Sequence, residues 1–361
     1  MEATTLMRVA ETTFVAVLTI AVQPSAQSQT YTTIDPPGSE GTTLSSINPA
    51  GAITGFFLDA NFVPHGFLRT PNGAITPFDP PSSTGTTPEA INPGGVITGY
   101  YTTGDYADEN LVSHGFLRAP DGTITTFDAP GAGTGFFQGT TVYAINPAGA
   151  ITGYYTDANS VSHGFVRTVT GTFTSFDVPG SAGTVADAIN PTGVVTGYYM
   201  APLGGGFSIP VGFVRDAKGA ITIIAPEGDF TYLVDDYPSS INLAGTIAGT
   251  ASNINVNASG FYLRAKDGSI TWFDNLPGLG SALGININQG GTATGDYIDW
   301  DSGQILSFVR TADGQVSLIA DPNAGTGFFQ GTEAYLINPA GQIAGNYSDE
   351  NYVSHGFLRT P

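Results

Sequence analysis

Short apolar runs alternate with turns containing glycine, proline or asparagine along almost the whole chain. Between Thr141 and Gly180 the runs TVYAIN, AITGYY, HGFVRT and TFTSFDVPG are separated by NPAG, TDANSVS and VTG. The runs are rich in residues that favour β-strands, and the separators are typical of turns and connections. This stretch therefore predicts four antiparallel strands.

The four-strand pattern is repeated seven times. The asparagine of its first turn recurs at intervals of 44 to 54 residues, at Asn48, Asn92, Asn146, Asn190, Asn242, Asn288 and Asn338. A period of this length with several short strands per unit is typical of a β-propeller. We predict an all-β, seven-bladed β-propeller with four antiparallel strands per blade, over residues 29–361.

Neighbouring strand positions such as Phe116 and Leu117 are both apolar. A strand covered on both faces need not alternate, and stacked blades cover one another on both faces. Across the turn at Asp121 and Gly122, we expect Phe116 to lie opposite Phe127.

The two ends of the chain are complementary. The last unit stops at HGFLRTP (355–361) and lacks a fourth strand, whereas YTTIDPPG (31–38) is a fourth strand with no blade before it. We expect the N-terminal strand to join the C-terminal blade and close the ring, which removes an open sheet edge.

Composition narrows the possible partners. The formal net charge is -20, and seven of the ten basic residues are the same repeated arginine, so nucleic acid and anionic membranes are poor partners. Residues 1–28 resemble a signal peptide, with Arg8, an apolar run from Thr13 to Val22 and small residues after it. An irregular N-terminal extension is the alternative. We expect a secreted monomer that, lacking cysteine, is stabilised by burial and ring closure.

All the length variation falls on one predicted face, formed by the connections between strands two and three and between blades. A variable face on a rigid scaffold is where binding sites are expected. Two of its loops, GAGTGFFQGTTVY (131–143) and NAGTGFFQGTEAY (323–335), are near copies. They supply six predicted substrate-binding residues, Phe136, Phe137, Gln138, Phe328, Phe329 and Gln330. The alternative is that each phenylalanine pair plugs its own loop onto the scaffold.

The residue three before each turn asparagine is predicted to face the central funnel. These residues differ among the blades: Ser45, Glu89, Tyr143, Asp187, Ser239, Ile285 and Tyr335. Carboxyls facing one another across a partly apolar bowl can have separated pKa values, as glycosidic acid/base chemistry requires. We predict Glu89, Asp187 and Tyr143 as catalytic, with Glu333, Tyr335, Asp235 and Asp236 binding substrate. Solvated carboxylates or a cation site are the alternatives.

Residues that recur in the blades are expected to be structural. His65, His114, His163 and His355 share one position on different blades, so they cannot converge on a metal, and each should make a hydrogen bond within its blade. The repeated aspartate is a candidate partner of the repeated arginine. Asp59 with Asn61 reads as an Asx turn, because two oxygen ligands are too few for Ca²⁺. We expect no metal and no cofactor.

The unit INPAGAITGYYTDANSVSHGFVRTVTGTFTSFD resembles the extracellular repeat of the HAF family, which has a comparable Ile-Asn turn followed by His-Ala-Phe-Leu-Trp and an Asp-Leu-Gly element. Here His65 to Arg69 reads HGFLR, and FDAPG (127–131) stands at the aspartate element. The resemblance implies a secreted bacterial propeller and carries no activity. The acidic funnel favours a carbohydrate-active protein, most simply a glycoside hydrolase. The alternatives are a non-catalytic glycan-binding or surface interaction module and a polysaccharide lyase.

Overall fold

The computed structural model describes residues 29–105, 107, 109–224, 235–253 and 258–361. Within these ranges it contains 28 β-strands and no helix, so the all-β prediction is confirmed. No helix of the described residues could span a membrane. The predicted signal peptide lies outside the described residues, as does most of the long connection at residues 226–238.

Antiparallel pairing joins consecutive strands in groups of four. The first three groups are β2 (Gly41–Ile47), β3 (Ile53–Leu58), β4 (Pro64–Arg69), β5 (Ile75–Phe78); β6 (Gly85–Ile91), β7 (Ile97–Thr103), β8 (Val112–Arg118), β9 (Ile124–Phe127); and β10 (Gln138–Ile145), β11 (Ile151–Thr156), β12 (Ser162–Arg167), β13 (Phe173–Phe176).

The next three groups follow the same order. They are β14 (Thr184–Ile189), β15 (Val195–Gly204), β16 (Phe207–Arg215), β17 (Ile221–Ile223); β18 (Asp235–Ile241), β19 (Ile247–Asn253), β20 (Ala258–Arg264), β21 (Ile270–Phe273); and β22 (Leu279–Ile287), β23 (Ala293–Asp299), β24 (Ile305–Arg310), β25 (Val316–Ile319).

The last group draws on both ends of the chain. It consists of β26 (Gly331–Ile337), β27 (Ile343–Ser348), β28 (Ser354–Thr360) and, as its outer strand, β1 (Thr30–Ile34). β1 runs antiparallel to β28, with Thr32 opposite Leu358.

A buried asparagine ends the first strand of each group. The side-chain oxygen of Asn48 accepts hydrogen bonds from the backbone N–H groups of Ala50 and Ala52, both at 3.0 Å, which shapes the turn. Its amide donates to the backbone carbonyl of Asn92 in the next group at 3.3 Å. Asn338 in the last group donates in the same way to the carbonyl of Asn48, at 3.2 Å. The turn needs asparagine because one side chain must both accept and donate.

The apolar cores lie between neighbouring groups. One cluster combines Ile34 of β1, Leu44 of β2, Phe67 of β4 and Leu336 of β26. Strands covered on both faces explain the lack of alternation at Phe116, which is fully buried, and at its partly buried neighbour Leu117.

The repeated histidine and aspartate pair with each other. His65 Nδ1 lies 2.8 Å from Asp79, and His355 Nδ1 lies 2.8 Å from Asp35, which follows β1. The expected hydrogen bond within the scaffold is thus present. The expected partnership of aspartate with arginine is wrong, because the aspartate pairs with histidine and four of the repeated guanidinium groups pack on aromatic rings. Arg118, for example, lies 5.0 Å from the ring centre of Phe78.

The Asp59 turn is an Asx turn, as predicted. The Asp59 carboxylate accepts hydrogen bonds from the backbone N–H groups of Asn61 and Val63, at 2.8 and 2.9 Å.

Candidate functional site

The first strands of the groups line one common space. β2, β6, β10, β14, β18, β22 and β26 contact one another in this order, and β26 also contacts β2. We call the space between these strands the central channel.

A β-bulge carries each of the three predicted catalytic residues. In β6, Pro88 pairs with Gly99 and Ala90 with Thr98, so Glu89 is an extra residue without a partner. Tyr143 in β10 and Asp187 in β14 occupy the same kind of bulge. A bulge takes one residue out of the ladder and re-aims its side chain.

The strand β22 departs from this arrangement. Its two register shifts fall between Leu279 and Ser281 and between Ala282 and Gly284. Ile285, which we expected in the channel, therefore pairs within the ladder and is 2% exposed in the core. That expectation is wrong.

Glu89 and Asp187 are carboxyls without compensating partners. Both are only partly accessible to solvent. Burial raises the pKa of Glu89 to about 8, and burial raises the pKa of Asp187 well above its usual value. In the described part of the chain neither side chain makes a hydrogen bond, and no basic group contributes to either shift, so no neighbour compensates either carboxyl when it ionises.

Tyrosines surround the two carboxyls. The rings of Tyr143 and Tyr154 are 5.7 Å apart, and those of Tyr198 and Tyr237 are 5.1 Å apart. Burial raises the pKa of Tyr143, and the charges of Asp187 and Glu89 add to the effect. Tyr143 thus lies near both carboxyls, as predicted. We call Glu89, Tyr100, Tyr143, Tyr154, Asp187 and Tyr198 the channel cluster.

Sequence reasoning missed half of this cluster. Tyr100, Tyr154 and Tyr198 share one position of the second strand, directly after the glycine of the repeated Thr-Gly-Tyr-Tyr motif. The motif was readable in the sequence, but it gives no indication of which tyrosine faces the channel.

A second group of acids lies across the channel. Burial raises the pKa of Glu333 and, together with the charge of Glu333, raises that of Asp296. Burial and the charges of Glu333, Asp296 and Glu89 raise the pKa of Tyr335, so both sides of the channel meet there. Tyr335 itself donates a hydrogen bond to the carbonyl of Leu44 at 2.8 Å, which gives it a scaffold role.

Asp236 lies away from the channel. It is fully buried and accepts hydrogen bonds from the Tyr262 hydroxyl at 2.7 Å and the Gly212 N–H at 3.1 Å. Burial raises its pKa to about 6, although both hydrogen bonds oppose the shift. We therefore leave Asp236 out of the site. The side chain of Asp235 lies outside the described residues.

The two similar loops are braced by their glutamines. Gln138 accepts a hydrogen bond from the Gly135 N–H at 2.9 Å, and Gln330 from that of Gly327 at 2.7 Å. These hydrogen bonds hold each loop in shape, and ligand binding by the two glutamines stays a prediction. Each loop ends in a short parallel pairing with the preceding group, β10 with β8 and β26 with β24.

The phenylalanines of these loops are largely exposed. Phe137 is 60% exposed, Phe328 61% and Phe329 50%, whereas Phe136 is partly buried. The rings of Phe136 and Phe137 are 4.1 Å apart, and those of Phe328 and Phe329 are 4.3 Å apart. With three of the four rings exposed, these pairs are not buried plugs, and they remain predicted ligand contacts.

Known structures resemble the fold at low sequence identity, whereas no protein-family model and no curated protein sequence matches the chain. Virginiamycin B lyase from Staphylococcus aureus has a TM-score of 0.58 and 14% identity, over 92% of this chain and 100% of that one. The β-propeller domain of the Trilobed protease from Pyrococcus furiosus has a TM-score of 0.57 and 10% identity, over 89% and 94%. Oligogalacturonate lyase in complex with manganese has a TM-score of 0.54 and 10% identity, over 92% and 96%.

The fold is that of a β-propeller. At such low identity the likeness extends to the fold alone.

The prediction of a glycoside hydrolase is wrong. The similar structures are lyases and a protease domain, and they offer no support for glycoside hydrolysis or for the glycan-binding alternative. The electrostatics give a physical reason. Glycosidic acid/base chemistry needs two carboxyls whose pKa values are moved apart, but burial raises those of Glu89 and Asp187 alike.

Proposed function

We propose that this protein binds a small organic cation in its central channel. One observation carries the proposal: Glu89 and Asp187 are enclosed among tyrosine rings without a hydrogen-bond partner or a basic neighbour in the described residues. A bound cation supplies the positive charge that favours the ionised form of either carboxyl.

The aromatic rings strengthen this argument. A cation over a tyrosine face gains about 0.5–1 kcal/mol at exposed sites and ~2 kcal/mol or more when desolvated. Tyr143 and Tyr154 form one ring pair at 5.7 Å, beside both carboxyls. A quaternary or primary ammonium group fits this combination of acids and rings, whereas an anion would be repelled once either acid ionises.

The proton balance of binding follows from the pKa of Glu89. With a pKa of about 8, Glu89 is mostly neutral at pH 7 in the free protein. A bound cation favours the ionised form, so binding releases a proton. Affinity should therefore rise with pH through the region of pH 8.

We also infer that seven four-stranded blades form a closed ring around the channel. The pairing of β1 with β28, the contacts of β26 with β2, and the hydrogen bond from Asn338 to Asn48 support this arrangement. We retain as proposals that residues 1–28 direct secretion and that the protein is a monomer of the HAF type. N-terminal sequencing of protein from the culture medium tests the first.

Calorimetric titration with choline and tetramethylammonium tests the binding proposal. Both ligands carry a fixed charge, so their own protonation does not change between about pH 7 and pH 9. We expect binding that tightens across this range, around the pKa of about 8. Glu89→Gln should reduce the pH dependence, while Asp187 with its raised pKa still contributes, and should weaken binding roughly tenfold. Asp187→Asn should weaken it similarly, as loss of ~1.4 kcal/mol predicts.

The matched control is Glu40→Gln, which removes an exposed carboxylate and should leave binding unchanged. The uncharged analogue of choline, 3,3-dimethylbutanol, should bind much more weakly. Equal binding of choline and this alcohol would reject the proposal.

Acid–base catalysis on the bound ligand is a second candidate function. The supporting observation is the pKa of Glu89, about 8, which is close to the value that efficient proton transfer at neutral pH requires. Glu89 would exchange the proton, with Asp187 and Tyr143 beside it. Mass spectrometry of each ligand after incubation tests this candidate, and unchanged ligands would exclude it for that set.

A further inference from the structure

The sixth group differs from the others at two positions. Its third strand has Ser307 where the fifth group has Phe261 and the others have glycine, at Gly66, Gly115, Gly164, Gly212 and Gly356. Its second strand has Asp296 where the others have Phe56, Tyr100, Tyr154, Tyr198, Thr250 and Asn346.

In the seventh group, the residue equivalent to Asp296 links two neighbouring groups. Asn346 accepts a hydrogen bond from the Leu44 N–H at 3.0 Å and donates to the Thr42 carbonyl at 3.2 Å. An amide at this position therefore joins its own group to the first strand of the next.

In the sixth group, Ser307 makes the equivalent link. Its hydroxyl donates to the carbonyl of Thr332 and accepts from the N–H of Ala334 at 2.8 Å. The backbone of β26 is thereby satisfied without Asp296. The scaffold does not need a polar side chain at position 296.

Asp296 is nevertheless buried and incompletely paired. It is 4% exposed, and its Oδ1 has no hydrogen-bond partner among the described residues. A buried polar atom without a partner costs roughly 1–3 kcal/mol, or more when it is charged, so its retention calls for a ligand or another compensation.

Asp296 faces the strand that carries Glu333. Thr294, two residues earlier on the same face of β23, donates a hydrogen bond to the Ala334 carbonyl of β26 at 2.7 Å. Glu333 precedes Ala334 and is partly exposed. The two carboxyls therefore lie together on the side of the channel opposite the channel cluster.

We propose that Asp296 and Glu333 form a second cation subsite, so that the natural ligand carries two ammonium groups, one at each side of the channel. This inference rests on the proposed function of the channel cluster. It names the ligand class more closely: a diamine or polyamine, with one end at Glu89 and Asp187 and the other at Asp296 and Glu333.

The chain-length dependence of diamine binding tests this inference. Two linked ammonium groups gain affinity only when the linker spans both subsites. We expect α,ω-diaminoalkanes from propane to octane to show a maximum, at which the diamine binds at least roughly tenfold tighter than the monoamine of equal length. Glu333→Gln and Asp296→Asn should remove this advantage, so that the diamine binds no tighter than the monoamine of equal length.

Two further variants separate the possible failures. Glu89→Gln should weaken monoamine and diamine binding alike. Asp321→Asn is the matched control, because Asp321 is 3% exposed and also has an unpartnered oxygen, but it lies near Tyr31 and Tyr347, outside the channel. It should change neither affinity. Melting temperatures of all variants identify those that fail to fold. If Asp296→Asn fails to fold, Glu333→Gln, at the less buried position, tests the second subsite in its place.

The outcomes are distinguishable. A diamine that binds no tighter than the monoamine at any length overturns the second subsite while the channel cluster stands. A diamine advantage that survives both substitutions also overturns it. Binding of Mg²⁺ or Ca²⁺ that is tighter than the binding of any diamine overturns it as well. Absence of binding by monoamine and diamine alike overturns both proposals.

Discussion

At the scale of single residues, hydrogen bonds separate the structural acid from the acids of the proposed site. Asp236 and Glu89 are both enclosed by protein, but Asp236 accepts two hydrogen bonds and Glu89 accepts none. Their pKa values, about 6 and about 8, differ accordingly. The sequence could place both near the first strands, but it could not show which of them is satisfied by neighbours distant in the chain.

Glu89→Gln should stabilise the free protein at high pH. The folded pKa of Glu89 is raised from its ordinary value of 4.5 to about 8, so the unfolded chain loses this proton first as pH rises. Stability of the wild type therefore falls between about pH 4.5 and pH 8 relative to the variant. We expect the Tm advantage of Glu89→Gln to grow across this window, by ~2–4 °C for each kcal/mol of stability.

Calorimetric melting at several pH values measures this advantage. Glu40→Gln, at an exposed carboxylate, should show no such trend. An advantage of Glu89→Gln that is independent of pH, or that shrinks as pH rises, would contradict the raised pKa.

At the scale of strands, the sequence predicted much of the channel by simple counting. Counting back three residues from each turn asparagine finds the bulges at Glu89, Tyr143 and Asp187. The count fails at Ile285, because β22 contains two register shifts at other places. A bulge depends on the pairing of two strands, so its position cannot be read from the spacing of one.

The hairpin registers show the same limit. Phe127 lies opposite Gly115, one residue from the expected Phe116. The turn has three residues, since Ala119 still bonds to Thr123, and Gly122 has a φ of +91°. A three-residue loop with a left-handed glycine shifts the register by one relative to a two-residue loop. The shift places the Phe127 ring over Gly115, where a side chain would clash.

An amide at position 296 should be able to replace the hydrogen bonds that Ser307 makes to the backbone of β26. Ser307→Gly removes partners from two buried backbone groups of β26, and we expect a loss of about 2 kcal/mol or more in the free energy of unfolding. Adding Asp296→Asn recreates the arrangement around Asn346 and should recover at least about 1 kcal/mol. Urea denaturation of the single and double variants measures this coupling.

The control pairs Ser307→Gly with Glu333→Gln, which adds an amide at a neighbouring position and should recover nothing. Additive effects of Ser307→Gly and Asp296→Asn would show that position 296 cannot take over the link.

At the scale of the whole molecule, the pairing of the chain ends is the feature that the sequence predicted best. An unmatched strand pattern at each end was sufficient, and β1 pairs with β28 as expected. The function was not predictable in the same way. The repeat specifies the scaffold, whereas the channel depends on residues that depart from the repeat, and a departure does not by itself name a ligand.

Deletion of residues 1–37 should abolish cooperative folding. It removes β1, exposes one side of the last group and uncovers the cluster around Ile34, which is 1% exposed. At ~25 cal/mol per Å² of apolar surface, such a loss reaches several kcal/mol, compared with a typical total stability of ~5–15 kcal/mol. Deletion of residues 1–28 alone should leave Tm unchanged. Melting and size-exclusion profiles distinguish these results, and similar Tm values for both deletions would refute the role of β1.

The hydrogen bonds between the turn asparagines all run from one group to the next in the same direction. The one step without such a bond among the described turns is not at the chain ends. From Asn146, each amide reaches the next carbonyl through Asn190, Asn242, Asn288, Asn338 and Asn48 to Asn92. Among the described turns, only the step from Asn92 to Asn146 lacks this bond. The links thus continue between the groups that contain the two chain ends. The missing link lies between two groups in the middle of the chain. There the parallel pairing of β8 with β10 joins the same two groups.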